Sequence, residues 1–277
     1  MNPEPLRWAR TAALRLAGPF DWLWRRARGD GRAGLPPLWL RRHTGPVRDF
    51  ERSAAGMVGL LEELGLLPPP EPGTVLDAGC GAGAMAAALA GRLGETGRYV
   101  GFDVHAPSIR WCRRRFASDP RLRFEIAAVA SPYGSSRGAP ATGYRFPVED
   151  GGATLVLAKS LFTHLTRDDA AHYLREIRRS LRPGSPALVT AFLFDPSDPA
   201  MYGVRREFPY EDTDSTAARG SPVRFKSRLR PTAAVAYSRD AFEALVEQAG
   251  LRVQWLRPGY YPGGTPVTGQ DTLLLGH

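Results

Sequence analysis

The residues able to do chemistry in this chain gather where short apolar runs end. Val75-Leu76 closes on a carboxylate, Asp77, and Gly79, Cys80, Gly81 and Gly83 follow at once. Arg98 to Asp103 repeats the plan, with Val104 behind its terminal acid, and the apolar run Ala153 to Ala158 leads into Lys159, Ser160 and then His164. Alternate glycines let a backbone turn sharply and approach a ligand where a Cβ would collide. In an open α/β sheet the ligand lies over the carboxyl ends of the strands, the edge to which these acids belong. A histidine there is a candidate proton acceptor.

The class of ligand follows from charge. Gly79, Gly81 and Ala84 satisfy a loose G-x-G-x-x-[GA] dinucleotide pattern. Asp77 argues against that reading, because a carboxylate two residues before the first glycine would face a pyrophosphate across a narrow turn. S-adenosylmethionine carries an ammonium and a sulfonium and no phosphate, so an acid there is favourable. Asp-x-Gly-x-Gly-x-Gly at a strand end resembles motif I of the class I S-adenosylmethionine-dependent methyltransferases. The resemblance implies that Asp77 and the turn Gly79, Cys80, Gly81 and Gly83 hold the methionine end. Asp103 falls 24 residues after Gly79, about where an acid meets ribose hydroxyls in nucleotide-binding βαβ units. Val104, Ala128, Val129 and Ser160 complete the expected cofactor set, and no metal is expected.

The match reaches further along the chain. Phe146-Pro147, the run Thr154 to Ala158, Ser160-Leu161-Phe162-Thr163-His164-Leu165, Leu174 to Ile177 with Leu181 to Gly184, Ala234 to Ser238 and Gly269-Gln270-Asp271 are similar to a subfamily acting on small molecules or glycans. Residues 36–277 are thus identified as a class I methyltransferase domain. The fold implied is a Rossmann-like, doubly wound seven-stranded α/β sheet of order 3-2-1-4-5-7-6 with strand 7 antiparallel. Two positions depart from the family. Ala128 stands where an acid often bonds the adenine amino group, leaving backbone groups of Ala128 and Val129 for that role, at a cost of about 1 kcal/mol. Thr154 replaces an acid that commonly begins the fourth strand.

The elements that must position these groups are legible in outline. Asp49 to Leu67 has helical periodicity, ended by Pro68-Pro69-Pro70. Trp39 to Gly45 before it is a candidate lid. Arg121 to Val129 and Ala187 to Phe194 read as strands, and Ala130 to Tyr144 as a polar loop. Thr166 with Asp169 resembles a capping box for a helix reaching about Leu181. Ser238 caps another through Gln248, ended by Gly250, and Leu251 to Leu256 with Gln270 to Leu275 form a closing strand pair. Between them, Asp195 to Ala236 is a long irregular insert after strand 5, a length typical of a lid or binding segment.

Methyl transfer from a sulfonium mainly needs alignment of the nucleophile and exclusion of water. A base is required only for a neutral hydroxyl or a protonated amine. His164 is the leading candidate, with His43, Tyr133 and Tyr144 behind it. In the insert, Tyr202, Arg205, Arg206 and Tyr210 are candidates for the acceptor, since arginines pair with anions and aromatics stack on rings. The favoured activity is O- or N-methylation of a small molecule or glycan. The rivals are a methyltransferase-fold protein that binds the cofactor without transferring methyl, and a nucleic-acid methyltransferase. The last is disfavoured because the chain lacks an Asn-Pro-Pro-Tyr-like motif and a separate RNA-binding module.

Composition bounds the rest. With 277 residues, 43% hydrophobic and 10% aromatic, the chain can fill a packed core, and global disorder is excluded. The net charge of +9 is carried by arginine, since only Lys159 and Lys226 are lysines. That bias, with abundant Ala, Gly and Pro, reflects GC-rich coding, so basicity by itself does not indicate a nucleic-acid partner. Residues 1–45 nevertheless hold nine Arg against Glu4, Asp21 and Asp30, a net +6. The basic, aromatic-rich arm 1–35 is expected to pack on the domain or to form a mobile leader, and residues 1–28 are also a candidate peripheral contact with an anionic membrane. No apolar run is long enough to span a bilayer and no clean signal-peptide core is present. Cys80 and Cys112 suggest neither a disulfide nor a metal site, so a cytoplasmic protein is expected.

Overall fold

Val75, Leu76 and Ala78 of β1 (Thr74–Ala78) are all fully buried, which explains a strand apolar on both faces: helices cover each side. β1 pairs in parallel with β2 (Arg98–Asp103) and β4 (Leu155–Ala158). β3 (Leu122–Ile126) lies beyond β2 and β5 (Ala187–Phe194) beyond β4, both parallel. β10 (Asp271–Gly276) runs antiparallel to β5 and carries β9 (Arg252–Arg257) on its other edge. This path is the expected seven-stranded order with its reversed strand. The computed structural model describes residues 35–41, 50–196 apart from 68, 70 and 136, 208–212, 222–259 and 270–277, with single positions 13, 16, 17, 20 and 23.

The sheet is larger than expected because β5 forks. Ala187 to Ala191 pairs with β10, whereas Phe192 to Phe194 pairs in parallel with β8 (Val235–Ser238). Antiparallel β7 (Val223–Phe225) and β6 (Tyr210–Glu211) extend that branch. The insert is therefore not wholly irregular, and its described parts lengthen the sheet past the site. Strands of two and three residues carry no readable alternation, which is why periodicity missed them.

Among the described residues, five helices flank the sheet after the short α1 (Leu38–Arg41), in which Leu40 and Arg41 are buried. α2 (Phe50–Glu63), α3 (Ala84–Leu89) and α4 (Ala106–Arg115) pack Met57, Leu61, Met85, Leu89 and Ile109 with Val75, Tyr99 and Leu157. α5 (Arg167–Ser180) and α6 (Arg239–Gln248) pack Tyr173, Ile177, Phe242 and Val246 with Leu76, Phe102 and Val156. Alternate residues of one strand thus join different clusters, as the pleat requires. Among the described residues no helix is long and apolar enough to cross a membrane. Most of the arm 1–28 lies outside the described residues; at positions 16, 20 and 23 Leu16, Phe20 and Leu23 are helical and exposed.

The two expected caps form. The Thr166 hydroxyl accepts from the Asp169 amide and donates to the Asp169 carboxylate at 2.7 Å, and Ser238 accepts from the amide of Ala241. Thr166→Ala removes both bonds of the first cap. It is expected to cost about 1 kcal/mol, or roughly 2–4 °C in Tm for a chain of this size; a calorimetric Tm equal to that of the unsubstituted chain would contradict the assignment.

Candidate functional site

The turn after β1 is built from left-handed glycines. Gly79, Gly81 and Gly83 have φ of 78°, 54° and 82°, a region that side-chain-bearing residues rarely occupy. The amides of Gly79 and Cys80 donate to the Phe102 carbonyl at 2.9 and 3.0 Å. The next amide, that of Gly81, donates to Asp103 Oδ2 at 2.9 Å, while that of His105 donates to Oδ1 at 2.7 Å. Both oxygens of Asp103 are thereby oriented. Asp77 lies one strand away, buried, and receives the hydroxyl of Tyr99. Burial pushes its carboxyl up to about 6, against the lowering effects of Tyr99 and the Lys159 charge.

A cavity of about 320 Å³ opens over this edge. It brings together Asp77, Gly79, Cys80, Gly81, Asp103, Val104, Val129, Ser160 and His164 of the expected set. Two expected residues are not in its wall, and each has a physical reason. Ala128 is exposed, and its carbonyl already accepts from the Ala139 amide. Gly83 serves packing instead: a Cβ there would come within 2.9 Å of Cys112 Sγ and 3.1 Å of the Phe116 ring. Cys80 and Cys112 are free, buried thiols whose pKa values burial raises. Among the described residues no cluster of three His, Cys, Asp or Glu is placed to hold a metal ion.

His164 stands in a hydrogen-bonded corner. Its Nδ1 is 3.0 Å from the Thr232 carbonyl and 3.1 Å from the Tyr133 hydroxyl, which is itself 3.1 Å from the Ala233 carbonyl. Carbonyls only accept, so Nδ1 donates to Thr232, Tyr133 donates to Ala233, and Nε2 is left with its lone pair. Burial holds the imidazole pKa below its ordinary value, the neutral form a base requires. Next to it Ser160 sits at φ 57°, an uncommon conformation for a residue other than glycine. The Ser160 amide donates to Thr190 Oγ1 at 2.7 Å, and Thr190 donates to Gln270 Oε1 at 2.6 Å.

Other expectations fall elsewhere. Tyr210 pairs with Phe225 and lies beneath the Arg228 guanidinium at 5.2 Å, outside the cavity wall. Tyr144 packs 5.3 Å from the Phe102 ring, and burial raises its phenol pKa. His43, Tyr202, Arg205 and Arg206 lie outside the described residues. The sequence reading gave no role to Lys159, Thr232 or Gln270, all in the wall. A lone lysine at a strand end in so arginine-rich a chain was a usable signal for the first; nothing local marks the other two.

Residues 75–184 match the family model described as a methyltransferase domain. A curated protein, the uncharacterized 37.1 kDa protein in transposon TN4556 of Streptomyces fradiae, is 30% identical over 111 residues, covering 40% of this chain; the match spans 28% of that relative's length. Among solved structures, a SAM-dependent methyltransferase from Aquifex aeolicus superposes with a TM-score of 0.51 at 17% identity, over 87% of this chain and 98% of that one. The mitomycin 7-O-methyltransferase MmcR gives 0.52 at 19% identity, over 98% and 67%. At these identities the structural likeness establishes a shared fold.

The corner around His164 can be checked without any ligand. In an NMR pH titration its ring is expected to keep the Nδ1–H tautomer and to titrate below the ordinary 6.5. A midpoint at or above 6.5 would contradict the geometry.

Proposed function

We propose, from the match of residues 75–184 to the model of a methyltransferase domain, that the chain binds S-adenosylmethionine and transfers a methyl group to an oxygen or nitrogen of a small molecule or glycan. The observation that carries the reading is the meeting of Asp77, the glycine turn, Asp103 and His164 in one cavity. These residues fit the cofactor chemically. The ionised Asp77 suits an ammonium, Asp103 suits a ribose diol, and the left-handed glycines keep Cβ atoms out of the cradle. Asp77, two residues before the first glycine, disfavours a pyrophosphate.

When bound, the cofactor supplies an electrophilic methyl on a sulfonium. The chain's own residues then align the acceptor, exclude water and receive a proton. His164 is the proton acceptor through Nε2, taking the proton of a hydroxyl, or of a protonated amine before its nitrogen can attack, because Thr232 holds the hydrogen on Nδ1. Leu161, Leu165 and Tyr173 give the cavity an apolar side, and water excluded there strengthens the remaining polar contacts. The shared fold of the mitomycin 7-O-methyltransferase supports a small-molecule acceptor. A cytoplasmic site of action is part of the same proposal, and peripheral contact of residues 1–28 with an anionic membrane is the alternative to their packing on the domain, supported by the charge of that segment.

Asp103→Ala tests the cofactor assignment. Loss of a charge-assisted hydrogen bond of about 1.5–3 kcal/mol is expected to weaken S-adenosylhomocysteine binding roughly ten- to a hundred-fold in calorimetry. Unchanged affinity in that variant would remove Asp103 from the site.

A further inference from the structure

One charge at the mouth of β4 has no partner in the account so far. Lys159 directly follows the strand and lines the cavity. Among the described residues no hydrogen bond or ion pair engages its ammonium. Burial lowers its pKa and the Asp77 carboxylate opposes that shift, so the two groups feel one another across the cavity wall. A half-buried ammonium with no partner keeps its donors for an anion that enters the cavity.

The sheet sets where that anion belongs. Asp77 is in register with Leu157 on the neighbouring parallel strand, so Lys159 lies two residues further toward the carboxyl edge. The pleat gives Lys159 the same parity as Leu155 and Leu157, which share a cluster with Val75, two residues before Asp77. Adjacent strands run about 4.8 Å apart, so the pleat puts a carboxylate and an ammonium on one face of neighbouring strands, offset by two residues, and both line the cavity. Beyond Lys159 the chain turns away at Ser160, pinned in its left-handed conformation by the bond to Thr190. The pair is the charge complement of a zwitterionic α-amino acid, which carries an ammonium and a carboxylate on a single carbon.

We propose that Lys159 binds the carboxylate at the amino-acid end of the cofactor, so that Asp77 and Lys159 form a two-point clamp for a zwitterion. The inference rests on the S-adenosylmethionine reading and goes beyond it, since the glycine motif assigns no residue to that carboxylate. The clamp discriminates between ligands that share the adenosine and thioether but differ at the amino-acid end: S-adenosylhomocysteine engages both charges, whereas 5′-methylthioadenosine engages neither.

Calorimetry with both ligands on the full chain separates the possibilities. In Lys159→Met and Lys159→Gln, S-adenosylhomocysteine is expected to lose roughly ten- to a hundred-fold in affinity, the range of a charged hydrogen bond. 5′-Methylthioadenosine, which still reports a folded adenosine site, is expected to bind as it does to the unsubstituted chain. Lys159→Arg is expected to retain most of the preference, because it keeps the charge. Equal loss for the two ligands, or unchanged S-adenosylhomocysteine binding in the neutral variants, would overturn the clamp while leaving the cofactor assignment standing. Failure of the unsubstituted chain to bind S-adenosylhomocysteine would overturn both.

Discussion

Two backbone amides, those of Gly81 and His105, converge on the carboxylate of Asp103, and the candidate site depends on that convergence. The glycines of the turn carry no side chains with which to hold it, and glycine adopts other conformations as readily. Anchoring Gly81 to the end of β2, beside the two amides that reach the Phe102 carbonyl, fixes the turn against the neighbouring strand. Hydrogen bonds to a charged acceptor contribute about 1.5–3 kcal/mol each, enough to select one conformation of a short loop. The same carboxylate faces the cavity, so the group that orders the turn is also the one offered to a ligand. Order and recognition are coupled at one residue.

The second half of the site is assembled from distant parts of the chain. His164 follows β4, Tyr133 comes from the loop after β3, and Thr232 and Ala233 close the insert just before β8. The fork in β5 makes this possible. By pairing its last residues with β8, the strand carries the end of the insert to the carboxyl edge, where a carbonyl can fix the imidazole tautomer. Asp271 reinforces the fork by accepting from the amides of Leu193 and Gly259 at 2.7 and 3.0 Å. The insert that the sequence marks as an acceptor lid is therefore also a support for the candidate base.

Much of this was legible in the residues, where local pattern and tertiary role agree. Arg98 to Asp103 and Ala187 to Phe194 form strands over the expected bounds, because apolar runs closed by a polar residue suit a doubly covered sheet. Thr166 and Ser238 cap helices since a hydroxyl at that position satisfies a free amide wherever it occurs. Illegible were the features set by contacts across long separations. The outward position of Ala128 depends on its pairing with Ala139 in a loop with no periodicity, and Gly83 yields to Cys112 and Phe116 across the helix pair.

The central claim is that the cavity over β1, β2 and β4 is an S-adenosylmethionine site with its reactive end toward His164. A crystal structure of the chain with S-adenosylhomocysteine tests it most directly. The account requires the ribose hydroxyls within hydrogen-bond distance of Asp103, the amino-acid end between Asp77 and Lys159, and the sulfur facing the space beside His164. Ligand density outside this cavity, or a bound ligand whose ribose makes no contact with Asp103, would contradict it.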